Sequence, residues 1–210
     1  MILIMDFTNN DSNDIKVNEA VRKYNSLGRK LTYSDYEIIN DGNRYELIDG
    51  VIFLMSAPSA AHQSILRELT VQLSVFLKGK QCMVFPAPFD VCLNGLGDKD
   101  ETVVQPDIIV ICDKKIIDAK RCNGVPDMVI EILSPSTSKI DLLTKLKKYQ
   151  TAGVCEYWIV DPDSKSVNVH ILEKGKYVIH LYECNDDIAV NVLTGCVINL
   201  SEIFDYSFFS

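Results

Sequence analysis

The 210-residue chain is short of several things, and each shortage removes a class of function. No apolar stretch approaches the ~20 residues needed to cross a bilayer, so no membrane-embedded role is expected. The opening residues, MILIMDFTNNDSND, have a short apolar start, no basic segment ahead of it, and acids close behind. They make a poor secretion signal and read as an edge strand or a loose arm. Histidine occurs three times among the 210 residues. The seven cysteines, Cys82, Cys92, Cys112, Cys122, Cys155, Cys184 and Cys196, are never closer than ten residues, so no Cys-x-x-Cys zinc knuckle exists. An odd cysteine count without a secretion signal points to reduced thiols and a cytoplasmic location. Most of these thiols sit in apolar runs and are expected to pack as small hydrophobes. Positive charge is also scarce: 21 Lys and Arg against 29 Asp and Glu leave a net charge of -8. Such a chain is not built to coat nucleic acid or anionic membrane indiscriminately. A nucleic-acid enzyme stays open, because a bound metal ion sets the local field at a site.

What is present is ordinary globular material, 47% hydrophobic and 24% charged. The length suggests one domain, here residues 31–210, preceded by an N-terminal arm or short helix over residues 1–30. A helix over 17–24 would be ended by Gly28. In "LTYSDYEIIN" Thr32 or Ser34 is a candidate helix cap, and Ser34 with Glu37 fits a capping box. "RYELIDGVIFLM" predicts two strands around an Asp49-Gly50 turn. Residues 59–80 carry apolar positions at helical spacing and stop at Gly79. "CMVFPAPFDVCL" is strand-like, with prolines that favour an edge or a bulge, and "VVQPDIIVIC" reads as another strand. Residues 127–133 form an apolar strand, stopped by Ser134-Pro135. "STSKIDLLTKLKKYQTAG" then predicts a helix with a cap at 136–138 and a stop at Gly153. "EYWIVDP", "SVNVHIL", "YVIHLYE" and "IAVNVL" follow as strands, with a short helix near 200–204. There are no internal repeats. The pattern is a mixed sheet flanked by a few helices, α/β or α+β.

Glu131 stands out because it lies within the apolar run "PDMVIEILSPS". Strand alternation puts it on the face of Asp127, Val129 and Leu133, opposite Met128, Ile130 and Ile132. Burying an unpaired carboxylate is costly, so it is either a half-exposed edge residue or part of a site. Asp107 opens the preceding apolar run, and if the two strands pair, two carboxylates face one small volume. They would then need a counter-charge, and hard oxygen ligands suit Mg²⁺ better than Zn²⁺. On the following helix Asp141, Lys145 and Lys148 share one side, with Leu142, Leu143 and Leu146 on the other. Lys145 sits at the border beside Tyr149, so its stem can be buried while its ammonium reaches inward. The plainer reading is a solvated Asp141–Lys145 pair at i,i+4. Asp127 lies ~13 Å along the strand from Glu131 at ~3.3 Å per residue, too far to share an ion, and reads as a strand-start residue. Tyr149, Glu156, Trp158 and Asp161 read as core or turn.

Taken in order, "RYELIDG", "PSAAHQ", "QPDIIV", "PDMVIEILSPSTS" and "DLLTKLKKYQTAGVCEYWIVDP" resemble the Uma-type restriction-endonuclease family of bacteria, within the PD-(D/E)XK nuclease superfamily. The resemblance spans about residues 31–182. It implies a restriction-endonuclease-like core and a metal-dependent phosphodiesterase site acting on DNA, with Mg²⁺ as cofactor and Mn²⁺ as a substitute. Carried over, Asp107 and Glu131 are the paired acids, and Glu46 completes the metal shell. His62 matches a further family position, or simply begins a helix. The superfamily's lysine would fall at 133, which is Leu133. The family places it on the next helix, at Lys145. Three readings remain open. The first is a Mg²⁺-dependent endonuclease, which a homodimer would suit for cutting both strands. The second is a nuclease-like fold that binds nucleic acid or a protein without cutting. The third is a structural dimeric domain whose acids merely pair with lysines.

Overall fold

The structure, a computed structural model, describes residues 21–134 and 139–205, with the third helix's side chains described from residue 142 onward. The arm over residues 1–20, the cap at 136–138 and the Asp141 side chain lie outside them. Residues 21–25 are helical, and Asn25 of this turn exchanges hydrogen bonds with the Ile52 backbone, Nδ2 to O at 3.2 Å and N to Oδ1 at 2.9 Å.

Helix α1 (Tyr33–Glu37) is capped by Thr32, and its box partner is Asp35, whose Oδ2 accepts the Thr32 N–H at 2.9 Å. The expected Ser34–Glu37 box is displaced because the helix begins before Ser34. Strands β1 (Tyr45–Ile48) and β2 (Val51–Leu54) form the expected hairpin. Its turn residues Asp49 and Gly50 have φ of 53° and 82°, the pair of positive angles that matches strand twist. Helix α2 (Ala60–Leu77) starts at Ser59, whose hydroxyl accepts the His62 N–H, and buries Ile65, Leu69, Leu73 and Leu77. The segment "CMVFPAPFDVCL" divides into β3 (Met83–Pro86) and β4 (Asp90–Cys92). Likewise "VVQPDIIVIC" divides into β5 (Val103–Val104) and β6 (Ile108–Ile111). In both cases the break falls at a proline, which cannot donate to a ladder, and the halves join different sheets. Then come β7 (Arg121–Asn123), β8 (Met128–Ile132), α3 (Lys139–Ala152), β9 (Glu156–Asp161), β10 (Ser166–Glu173), β11 (Lys176–Glu183), β12 (Asp187–Ala189), β13 (Val197–Asn199) and α4 (Leu200–Ile203). Strand β13 has no counterpart in the sequence reading.

The strands make a five-stranded sheet, β2-β1-β5-β4-β7, a six-stranded sheet, β11-β10-β9-β8-β6-β3, and the small β12-β13 pair. In the larger sheet β8 pairs antiparallel with β6 and parallel with β9, the parallel step being bridged by α3. That sheet is covered on both faces. Met128, Ile130 and Ile132 pack with α2 and α4, while Val129 and Tyr157 pack with α3 and with Ile48, Val91 and Val104 of the smaller sheet. The alternation read along residues 127–133 is therefore correct, but both faces are interior. Strand β3 is an edge, as its proline requires. Leu143, expected on the apolar side of α3, is instead mostly exposed.

The thiols need one correction. Cys82 and Cys112 form a disulfide. They stand opposite one another because the β3–β6 register pairs Met83 with Ile111, and one step further brings the two cysteines face to face. A spacing of 30 residues hides this neighbourhood. Cys92, Cys122 and Cys196 are free and buried, as small hydrophobes should be. Among the described residues no helix is long and apolar enough to cross a membrane.

Candidate active site

The β6–β8 register brings the two acids together. Ile108 faces Ile130, so the next step outward sets Asp107 against Glu131 at the ends of their strands. Asp107 Oδ2 accepts the N–H of Ile132 at 2.7 Å. Asp127 does the mirror-image job at the other end of the same ladder, accepting the Cys112 N–H at 2.7 Å. Both Pro-Asp pairs thus open a strand and cap its neighbour, and only the one near Glu131 borders the site. Asp127 is the strand-start residue that its distance from Glu131 indicated.

Glu46 comes from the smaller sheet. On β1 its neighbours Tyr45 and Leu47 point into a cluster with Leu31 and Ile52, while Ile48 packs toward the larger sheet. By alternation Glu46 shares the Ile48 side. Its Oε1 accepts the Gln105 N–H at 2.9 Å. Gln105 is held in turn: Arg44 donates to its Oε1 at 2.9 and 3.0 Å, and its own Nε2 donates to Asp90 at 2.7 Å and to Tyr36 at 2.9 Å.

Lys145 projects from α3 between the two glutamates. Its Nζ lies 2.9 Å from Glu46 Oε1 and 3.1 Å from Glu131 Oε1, with the residue 7% exposed. Tyr149, one helical turn on, donates its hydroxyl to Glu131 Oε1 at 2.7 Å. Glu131 is largely buried, and burial pushes its pKa up to about 7. The Lys145 charge works against that rise, whereas Asp107 and Glu46 add to it. Burial also drives the Tyr149 hydroxyl well above its ordinary value, so it remains a donor. On the other side His62, from the first turn of α2, sets Nε2 3.1 Å from Asp107 Oδ2 and is 6% exposed. Its Nδ1 is buried without a hydrogen-bond partner among the described residues.

All five predicted residues, Glu46, His62, Asp107, Glu131 and Lys145, line one cavity of about 620 Å³. Leu133 lines it too, at the position where the superfamily's lysine is missing, while Lys145 brings an ammonium to the same wall from the next helix. Tyr149, Gln105 and Arg44 join the site without having been expected there from the sequence. Tyr149 was legible in principle, since it lies four positions after Lys145 on the same helix face. Gln105 acts through its backbone N–H, which no residue pattern reveals. Glu156 and Trp158 are core, as read: the carboxylate is satisfied by Trp158 Nε1 at 2.8 Å and Val192 N at 2.9 Å.

Residues 32–201 match the Uma2 family, whose description is "Putative restriction endonuclease". The chain belongs to this family. An uncharacterized protein of Synechocystis is 26% identical over 145 residues, covering 68% of this chain and 74% of the relative. A crystal structure from Anabaena variabilis, titled as a putative nuclease belonging to DUF820, superposes with a TM-score of 0.67 at 20% identity. It covers 83% of this chain and 97% of the other. The mixed-sheet fold of this Uma2 member is thus the one seen in that structure.

The donor set decides whether a metal ion suits the cavity. Glu46, Asp107 and Glu131 are hard oxygen donors, and each keeps one carboxylate oxygen that accepts no hydrogen bond among the described residues. Among those residues no three acidic, histidine or cysteine side chains are grouped as a ready-made metal cage. Mg²⁺ does not need one, since it is commonly held by one or two carboxylates and completes its shell with water and substrate oxygens.

Proposed function

We propose that the chain is a Mg²⁺-dependent endonuclease that hydrolyses DNA phosphodiester bonds in this cavity. The observation that carries the reading is the meeting of Asp107 and Glu131 across β6–β8, with the Lys145 ammonium on Glu131. Asp107 and Glu131, with Glu46 beside them, are the residues that would hold the ion. When bound, the ion supplies charge neutralisation at the phosphate and a lowered pKa for a coordinated water.

The chain's own groups prepare the site. The Tyr149 and Lys145 bonds converge on Oε1 of Glu131 and fix its carboxylate plane, with neither donor on Oε2. The Ile132 N–H and His62 do the same for Oδ2 of Asp107. Lys145 adds a fixed positive charge in a nearly water-free wall, where it opposes charge developing on a phosphate far better than it would in water. Arg44, at the cavity rim, adds a second cation.

The test is plasmid nicking with Mg²⁺ or Mn²⁺ by the wild type, Glu131→Gln and Lys145→Ala. Each variant should lose on the order of a hundredfold or more in rate, with its circular dichroism unchanged. Absence of wild-type cleavage on duplex, single-stranded and branched DNA would discard the reading.

A further inference from the structure

We infer that the outer edge of β11 is a pairing surface for a second copy of this chain, forming a two-fold dimer through antiparallel strand addition centred on His180. Strand β11 is the end strand of the six-stranded sheet, and among the described residues nothing pairs with its outer side. It is long and apolar for an edge: Ile179 is 59% exposed, Leu181 64%, and Val178 is exposed too. Stretches of this kind are normally blunted by charge, proline or a cover. Here the blunting is confined to the two ends.

The pattern of backbone groups shows where the edge is open. The β10–β11 hairpin closes on the pair Glu173 and Lys176 around a two-residue turn, so Lys176 bonds inward to β10, as do Val178, His180 and Tyr182 in step. Tyr177, Ile179, Leu181 and Glu183 therefore turn their backbone outward. Two of these are already engaged. Tyr177 N donates to Gln150 Oε1 at 3.1 Å, while Glu183 N donates to Asp186 Oδ2 at 2.8 Å and its carbonyl accepts Asp186 N at 3.0 Å. The complete outward N–H and C=O pairs left for a partner are those of Ile179 and Leu181.

That remainder is self-complementary. Two strands related by a two-fold axis pair residues of like parity, because directly opposite residues must both face the partner or both face away. An axis at His180 sets Ile179 against Leu181 of the second copy and Leu181 against its Ile179. This arrangement uses all four free groups in four hydrogen bonds and requires nothing from the engaged ends. On one sheet face it gathers the two isoleucines and two leucines into a single apolar cluster, removing the most exposed large side chains of the strand from water. A C₂ contact of this kind closes on itself and gives a dimer, not a fibre. The spacing of the open groups about a central residue is what favours a second copy over an unrelated strand.

Sedimentation of the full chain over a wide concentration range tests this. The wild type should approach twice the chain mass as concentration rises. Leu181→Pro should stay at one chain mass with unchanged circular dichroism, since it deletes an N–H that β10 does not use and proline is tolerated on such an edge. The double variant Ile179→Lys, Leu181→Lys should behave likewise. A wild type of single mass throughout, or a folded variant that still doubles, overturns the proposal. Amide exchange of the wild type reads the same question without a substitution. The Ile179 and Leu181 amides should be protected at high concentration and exchange faster on dilution by orders of magnitude. Protection that ignores dilution would mean that the chain's own residues 1–20 cover the edge, and it would refute the dimer.

Discussion

Glu131 was out of place in the sequence, and the structure ties it to Lys145 and Tyr149 by hydrogen bonds and sets two further carboxylates near it. Lys145, Tyr149, Asp107 and Glu46 all act on it. The energetic weight of the cluster falls on Lys145, because removing one partner of a buried ion pair leaves uncompensated charge. Lys145→Met should therefore lower stability by about 3–5 kcal/mol, read from urea midpoints. Adding Glu131→Gln should recover part of that loss, and a double variant showing plain additivity would mean the two groups do not interact. The proton on Glu131 gives a second expectation. Its folded pKa of about 7 lies above its ordinary value of 4.5, so the native state binds the extra proton. Its contribution to stability is then complete below pH 4.5 and is lost as pH rises through about 7. Glu131→Gln should flatten that decline in a stability profile between those limits. Cation uptake near neutral pH should also release a proton from this carboxyl, visible in Mn²⁺ calorimetry as a heat that depends on the ionisation enthalpy of the buffer.

At the scale of elements, the site is held by devices that were mostly written locally. The Asp49-Gly50 turn sets the β1–β2 register and with it the side to which Glu46 points. Gly50 has φ of 82°, and a Cβ there would lie 2.5 Å from Lys30 Cβ and 2.9 Å from its Cα. Gly50→Ala should destabilise by more than the ~1 kcal/mol that a glycine replacement gains at a position whose φ suits alanine, and a wild-type-like urea midpoint would show that the turn can relax. Ser59 caps α2 through the His62 N–H, so Ser59→Ala should cost about 1 kcal/mol and loosen the helix start that carries His62. Hairpins, caps and helix stops of this kind depend on neighbours in sequence, which is why they could be read in advance. The two strand-like segments that proved to be two strands each failed for the opposite reason. A proline break was visible, but the departure of each half to a different sheet depends on partners far along the chain.

At the scale of the whole molecule, a net charge of -8 leaves few cations to meet a phosphate backbone, and among the described residues Arg44 and Lys145 are the ones lining the cavity. DNA affinity should accordingly fall only gently with salt. A plot of log affinity against log salt should have a slope no steeper than about -2, at roughly -0.9 per phosphate contacted, as measured by fluorescence anisotropy in the presence of divalent ion. A much steeper slope would require a basic track elsewhere on the surface. The Cys82–Cys112 disulfide bears on the same scale, since it ties edge strand β3 to β6 at the end of β6 opposite Asp107. Reduction should lower the unfolding free energy by about 2–4 kcal/mol, checked by urea melts with and without reductant.

The chain by itself determined the element types, the alternation that placed Glu131 on one face, the helix that carries Lys145 and the candidacy of Asp107. These follow from periodicity and short-range chemistry, which act over a few residues. Only the tertiary structure decided that both faces of β8 are interior. It alone seated the Lys145 ammonium between Glu46 and Glu131, 99 and 14 residues away, joined His62 to Asp107, and left β11 open along just Ile179 to Leu181. Those facts depend on strand register and sheet order. Contacts at such separations are fixed by which surfaces can be buried together, and no local pattern records that choice.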